Sequence, residues 1–355
     1  MLAVLLWLNV LVGLCLAAGT LLSLSDHPHW FVRGWDFPRV QIACLAVVSG
    51  ALHAIFFSHW GAFDWLFLAV MAAVSLWQGF RIYPYTPLAR KHVRLTSQPS
   101  PDSTLTILIS NVQMENRRFD KFLSTVRECD PDVILALEID DVWETQLKPL
   151  EATYQHLVRQ PQSNFYGMML LSRLPIAQSE VRFMVQDDIP SIHAEIRLPR
   201  GESVHLHGVH PRPPEPIRDQ DSKPRDAELV TLGKEIGQFD RPTIVAGDLN
   251  DVAWSPVSRL FLRLSGLLDA RKGRGFYNTW NANHALMRFP LDHVFHSHHF
   301  KLVDLKRMPH IGSDHFPVYM SLSYEPEAQL EQAETEKKPG DDAKAAELIE
   351  RESSE

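Results

Sequence analysis

The chain has 355 residues, 45% of them hydrophobic, and a formal net charge of -8, enough to build one large core and something more. Two of its three cysteines, Cys15 and Cys44, lie in apolar runs and Cys129 stands alone, which excludes a disulfide within any soluble domain. From Glu325 onward there are 11 acidic and 4 basic residues, a net of -7, so the remainder is nearly neutral and the total charge does not describe a binding surface.

The first element is an uncharged run over residues 2–24, long enough to cross a bilayer, which takes about 20 apolar residues. Two further runs, 40–57 and 65–80, are separated only by "SHWGAFD" and read as a membrane hairpin, with Trp60, Trp65, Trp77, Tyr83 and Tyr85 near the span ends where amphipathic rings favour the headgroup layer. A cleaved signal peptide is the competing reading of the first run, but it lacks a basic start and a convincing cleavage site. Residues 1–82 are therefore expected to form a membrane region of about three spans, with His53 and Gln78 as its polar exceptions. Arg33 and Arg39 fall in one loop, and Arg81, Arg90, Lys91 and Arg94 follow the last span. Positive residues stay inside, which makes this a multi-pass protein of the cell inner membrane whose soluble part faces the cytoplasm. A different span count reverses that side.

Residues 83–103, with "YPYTP" and "SQPSPDS", read as a linker. Between 104 and 324, short apolar strand patterns alternate with helical ones. "TLTILISN" is expected as a buried strand, "RRFDKFLSTVREC" as a helix and "DPDVILALE" as the next strand. "GMMLLSR", "SIHAEIRL", "SVHLHGVH", "TIVAGDL", "DHVFHS" and "FPVYMSLSY" supply further strands, and "RDAELVTLGKEIGQF" the clearest late helix. This is a mixed α/β layer protein. The acidic end, 325–355, has no aromatic residue and is expected to be disordered or a solvated helix.

Polar residues recur at strand ends: Asn111, Glu138, His210, Asp248 with Asn250, Asp292, and Asp314 with His315. Each has an ordinary explanation alone, as a turn former, an exposed strand end, an ion-pair partner or a packed imidazole. As an ordered set they resemble the endonuclease/exonuclease/phosphatase superfamily, the DNase-like metal-dependent phosphoesterases. "GDLN" and "GSDHFPV" carry the resemblance, supported by "SNVQ", "LALEI", "GVHPRPP" and "LDHVF", and it covers essentially all of 104–324. It implies a four-layer sandwich, two packed mixed β-sheets flanked by helices, with a cleft at one edge.

The resemblance further implies Glu138, helped by Asn111 and Asp314, as holder of Mg²⁺, with Mn²⁺ a substitute. Asp248 would orient or deprotonate the attacking water, and Asn250, two residues on along an extended chain, would offer an amide N–H to the phosphate. His315, its tautomer fixed by Asp292, and His210 opposite would contact phosphate and serve the proton transfers. The chain departs from the nuclease members where a carboxylate partner for His210 is expected: Ser191 stands there, with Asp187 and Asp188 only nearby. The expected substrate is a phosphate ester, either nucleic acid or a phospholipid or inositol phosphate. Besides the membrane, nothing points to a protein partner. A non-enzymatic membrane scaffold or receptor that keeps the fold is the alternative from another class.

Other clusters take plainer readings. "HSHHF" (His296, His298, His299) looks like a zinc loop, but no Cys or carboxylate follows at ligand spacing, so a surface strand end is expected. His205 and His207 read as solvated, and Trp280 as a core tryptophan. Tyr166, Arg212 and Arg225 are equally cleft or surface residues.

Overall fold

The computed structural model describes residues 1–57, 59–216 and 220–353; Ser58 of the expected loop, 217–219 of the expected domain and 354–355 of the tail lie outside them. The chain divides into two compact units, Met1–Ala89 with Pro214–Ser222, and Arg90–Pro213 with Lys223–Glu355.

In the first unit, α1 (Leu2–Leu22), α2 (Arg39–Leu52, continued by a π-helical turn over His53–Phe57) and α3 (Ala62–Ile82) form a bundle. Its contact faces are built from small residues: a Cβ on Gly13 would lie 2.6 Å from the Phe67 ring, and one on Gly19 would strike Trp35. Such glycines let the helix backbones approach closely. Polar side chains turn inward. Gln78 receives a 2.8 Å hydrogen bond from Arg39 and donates one of 2.9 Å to Thr20, so one amide ties the three helices. His53 Nε2 meets Asp64 at 2.8 Å, while Leu5, Leu11, Val48, Leu66 and Phe80 stay exposed. Three helices, Leu2–Leu22, Arg39–Phe57 and Ala62–Tyr85, are long and apolar enough to cross a membrane.

The second unit holds two six-stranded mixed sheets. The first contains β1 (Thr104–Asn111), β2 (Val133–Leu137), β3 (His156–Gln160), β4 (Met168–Ser172), β11 (Phe300–Arg307) and β12 (Val318–Tyr324), in the order β11-β12-β1-β2-β4-β3. The second contains β5 (Ile176–Arg182), β6 (Ser191–Arg197), β7 (Ser203–Val209), β8 (Thr243–Asp248), β9 (Leu268–Asp269) and β10 (Asp292–His296), in the order β5-β6-β7-β8-β10-β9. In both, the parallel pair sits inside, β1 with β2 and β7 with β8. The strand period of two sorts the side chains. Ile107, Ile109, Leu135, Leu206, Ile244, Ala246 and Val294 share one core between the sheets. Their neighbours Leu108 and Ile134 face α4 (Phe119–Cys129) and α5 (Asp141–Leu147). Val245 and Phe295 face α6 (Lys223–Ile236) and α7 (Pro256–Ser265). This is the expected four-layer sandwich.

The sheets pack closely at Gly208, where an added Cβ would lie 2.8 Å from the Leu135 side chain of the other sheet. Gly247, with φ +147°, would place a Cβ 1.9 Å from the Val209 carbonyl oxygen, so "GDLN" needs glycine in its first position.

Two stretches differ from the reading of composition. Residues 90–103, expected as linker, belong to the second unit: Val93 is fully buried, and Arg94 and Thr96 exchange backbone hydrogen bonds with Leu302. A Pro- and Ser-rich stretch can still serve as an edge strand when it supplies a few backbone donors and acceptors. The acidic end is neither disordered nor fully solvated. Its helix α8 (Asp341–Ser353) buries Ala345 and Leu348 against α6 and α7, and Arg263 clasps Asp341 with two hydrogen bonds of 2.7 and 2.8 Å. Charge dominates its composition, but the apolar pair at i and i+3 is enough to dock one face.

Candidate active site

Extending the inner-face parity past the strand ends gives the site. β1 places Asn111, β7 leads into His210, β8 ends on Asp248 and β10 starts at Asp292. All four continue the positions that face the other sheet, at the carboxyl ends of the parallel strands. Glu138 follows β2 with φ +62°, a left-handed turn that redirects the chain as the strand stops. His315 lies just before β12. The structure thus collects Asn111, Glu138, His210, Asp248, Asp292 and His315 at one edge of the two sheets.

Asn111 joins two carboxylates. Its amide Nδ2 donates to Glu138 Oε1 at 2.8 Å and to Asp248 Oδ2 at 3.2 Å, while its oxygen accepts the Gln113 N–H at 3.0 Å. Glu138 Oε2 accepts the Met114 N–H at 3.1 Å. Burial raises the Glu138 carboxyl above its ordinary range, against the pull of His210 and the Asn111 bond.

Asp248 divides its two oxygens. Oδ1 accepts the Asn250 N–H at 2.9 Å, the aspartate turn that an ordinary reading of "GDLN" predicts. Oδ2 faces the site, 3.4 Å from His315 Nε2 and 3.7 Å from His210 Nε2. Asn250 differs from expectation: it is not on an extended chain beside Asp248 but in the left-handed region at φ +50°, and its Nδ2 donates to the Pro211 carbonyl at 3.0 Å. Its own carbonyl accepts from Arg225 at 2.8 Å. The short Asx turn reverses the chain before the alternation of a strand applies.

His315 Nδ1 donates to Asp292 Oδ2 at 2.8 Å. Burial opposes the imidazolium, but Asp292 and Asp248 outweigh it and raise His315 to about 10. Burial would likewise raise Asp248, yet His315 and His210 hold it below its ordinary range. Burial raises Asp292, with His315 opposing. Asp248 and His315 therefore form an ion pair with Asp292 behind the ring. His210, lowered by burial, packs against Tyr166 with ring centroids 5.2 Å apart, and its Nδ1 is buried without a hydrogen bond. Ser191, in the place of the expected carboxylate, instead bonds His193 at 2.9 Å.

Asp314 accepts from Trp280 Nε1 at 2.9 Å, so Trp280, expected as a core residue, is half-buried and aims a metal-candidate carboxylate. Sequence reading missed the supports. Ser313 Oγ donates to the Asn111 carbonyl at 2.8 Å and accepts the His315 N–H at 2.9 Å. Gln113 accepts the Asp314 N–H at 3.0 Å, and Thr279 the Asp292 N–H at 3.2 Å. Ser313 and Gln113 stand inside quoted motifs, which was the available signal. Arg212 lies over the Tyr166 ring, 5.3 Å from its centroid. His207, expected in solvent, is buried with Nδ1 2.7 Å from His193 Nδ1, because β6 pairs over it.

Glu138, Asp248 and Asp292 gather with His210 and His315, while Asp314 is held by Trp280, and among the described residues no Lys or Arg ion-pairs with any of these four carboxylates. Glu138, whose carboxyl bonds the neutral Asn111 amide and Met114 N–H, fits a hard divalent cation, which takes oxygen ligands. Asp248, Asp292 and His315 offer a further donor set, with ligand atoms within 4.8 Å of one another.

The profile of the Endonuclease/Exonuclease/phosphatase family matches residues 108–315. The chain belongs to this family. A member of the endonuclease/exonuclease/phosphatase family is a phosphoric ester hydrolase, and the fold agrees. D. rerio TDP2 in complex with a single-strand DNA product superposes with a TM-score of 0.51 at 20% identity, over 62% of this chain and 99% of that one. The human Nocturnin catalytic domain with bound sulfate gives 0.51 at 17% identity, over 64% and 96%. An endonuclease/exonuclease/phosphatase protein from Beutenbergia cavernae gives 0.51 at 17%, over 63% and 72%. No curated protein sequence matches the chain.

Proposed function

We propose that the protein is a membrane-anchored phosphodiesterase that uses Mg²⁺, or Mn²⁺ in its place, to hydrolyse a phosphodiester with water. The observation that supports this reading is the gathering of three carboxylates, Glu138, Asp248 and Asp292, around one charged imidazole, His315, since an anionic phosphate cannot enter it unaided. Glu138 and Asp314 would hold the ion, with Asn111 spanning Glu138 and Asp248. When bound, the cation supplies neutralisation of charge on the phosphoryl oxygens and a lowered pKa for water. Asp248 Oδ2 accepts the proton of the attacking water, held in place because Oδ1 is fixed by the Asn250 N–H. His315, charged and backed by Asp292, donates to a phosphoryl oxygen. His210, neutral and oriented by Tyr166, makes a second contact. Asn250 shapes the turn and places Asp248.

Residues 1–82 are the proposed anchor of about three spans in the inner membrane, with 104–324 as catalytic core on the cytoplasmic side. A reporter enzyme fused after Ser103 should be active in the cytoplasm; periplasmic activity overturns that side. The substrate class follows from a panel of single-stranded nucleic acid, phospholipid and inositol phosphate, given to the full-length chain in detergent with Mg²⁺, Mn²⁺ or chelator. The nucleic-acid arm has a relative bound to a DNA product, and the lipid arm has the anchor and a nearly neutral chain outside its tail. Chelator-sensitive turnover that disappears in Glu138→Gln supports the proposal. Turnover indifferent to chelator, or none on any substrate, refutes it.

A further inference from the structure

The loop "HSHHF" has partners that sequence spacing could not show. Asp240 lies between α6 and β8, and His298 and His299 lie between β10 and β11. The two loops are stapled together by the Ser297 N–H on the Thr243 carbonyl at 2.8 Å and the Thr243 N–H on Ser297 Oγ at 3.1 Å. Nε2 of His299 is 3.3 Å and Nε2 of His298 3.5 Å from the same oxygen, Asp240 Oδ1. The three ligand atoms lie within 4.8 Å of one another. Zinc bonds of about 2.0–2.2 Å to nitrogen and oxygen give a tetrahedral edge of about 3.3–3.5 Å, which matches the two distances from Asp240 Oδ1 to the histidine nitrogens.

We propose that Asp240, His298 and His299 form a second metal site, for a divalent transition ion of the zinc class. Imidazole suits Zn²⁺ where Mg²⁺ prefers oxygen. Both rings have their far nitrogen directed. His299 Nδ1 bonds Ser297 Oγ at 3.0 Å, and His298 Nδ1 lies 2.8 Å from Glu334 Oε1, an outer carboxylate of the kind that orients metal-binding histidines. The rings stack at 4.3 Å. A simple ion pair explains less, because two imidazoles converge on the one oxygen Asp240 Oδ1, and the Nε2 of buried His298 that faces it completes no hydrogen bond. Asp240 is exposed, and a cavity of about 440 Å³ opens beside Asp240 and Glu334 as a path for the ion. The site is not the catalytic one: Asp240 and Ser297 flank the start of β8 and the end of β10, whereas Asp248 and Asp292 occupy the opposite ends, a strand length of about 15 Å away.

Glu334 belongs to the acidic end, whose flanking residues are tied down. Gln332 donates to the His298 carbonyl at 3.0 Å, and Thr335 Oγ1 to the Leu267 carbonyl at 2.8 Å. Metal at this site would fasten that segment to the sandwich.

The test reads binding, not turnover. The full-length chain in detergent, stripped of metal and kept in excess Mg²⁺, is titrated with Co²⁺ and then Zn²⁺, following the visible spectrum and the bound equivalents. The wild type should bind Co²⁺ with tetrahedral bands that Zn²⁺ displaces. Asp240→Asn and His299→Gln should each lose one tight equivalent, Glu334→Gln should bind it about 10–100-fold more weakly, and Glu138→Gln should keep it. Zn²⁺ should also slow proteolysis of residues 325–340 in the wild type. The proposal is overturned by a wild type that binds no tight equivalent, by folded Asp240→Asn and His299→Gln chains that retain it, or by Glu138→Gln losing it.

Discussion

The two units bury polar groups to opposite ends. In the helical unit, Arg39, Gln78 and Thr20 bond one another across three helices, and their burial fixes packing. In the sandwich, Asp248, His315, Asp292 and His210 are just as buried, yet His210 Nδ1 has no hydrogen-bond partner among the described residues. Both units leave some buried atoms open, Arg39 Nε and His53 Nδ1 in the helices among them, but only at the sheet edge do open atoms stand among several ionisable groups gathered at strand ends.

Substitutions should separate these two uses. The largest effect is expected at Asp248→Asn, which keeps the turn with Asn250 but loses the proposed base. Its kcat should fall by roughly 10²–10⁴ with little change in KM or melting temperature. Wild-type kcat in a folded Asp248→Asn protein would remove the distinction between the units.

The next effect is on stability. Glu228 in α6 is buried with Oε1 unbonded, and burial raises its carboxyl from 4.5 to about 8. Because the folded value lies above the unfolded one, its contribution is fully present below 4.5, is lost as pH rises toward 8, and stays lost above that. Glu228→Gln should therefore raise the melting temperature at pH 8 and flatten that slope. Unchanged pH dependence would show that Glu228 is not the group responsible.

The smallest effect is expected in the bundle. Gln78→Leu removes hydrogen bonds to Arg39 and Thr20, and such bonds between membrane helices contribute on average about 0.6 kcal/mol. Thermal unfolding in detergent should show this modest loss, while kcat on a soluble phosphodiester stays unchanged. A collapse of kcat instead would mean that the helical unit serves the chemistry.

The sandwich was legible because its signals are local. Ile107, Leu108 and Ile109 alternate between two cores as the strand period requires, and "GDLN" and "GSDHFPV" mark the strand ends where polar groups gather. Asn111, Glu138, His210, Asp248, Asp292 and His315 were all named from such ends. What escaped depends on distant partners. The turn at Asn250 follows from dihedrals that an extended reading could not foresee. Leu302 gives residues 94–96 a strand edge, and Asp240 meets His298 only because α6 returns the chain to the start of β8. In the tail, two small apolar contacts outweigh a charge pattern that suggested solvent.

Gly208 bears on all of this without touching substrate. Asn111 and Glu138 come from one sheet; His210, Asp248 and Asp292 come from the other, and the amide bridge from Asn111 to Asp248 crosses the gap at 3.2 Å. The missing side chain at Gly208 lets the sheets approach until Leu135 fills the space. It sets a local tolerance: a methyl there would have to be met first by a turn of the Leu135 side-chain end, and only what that turn does not absorb would reach the groups that act across the seam.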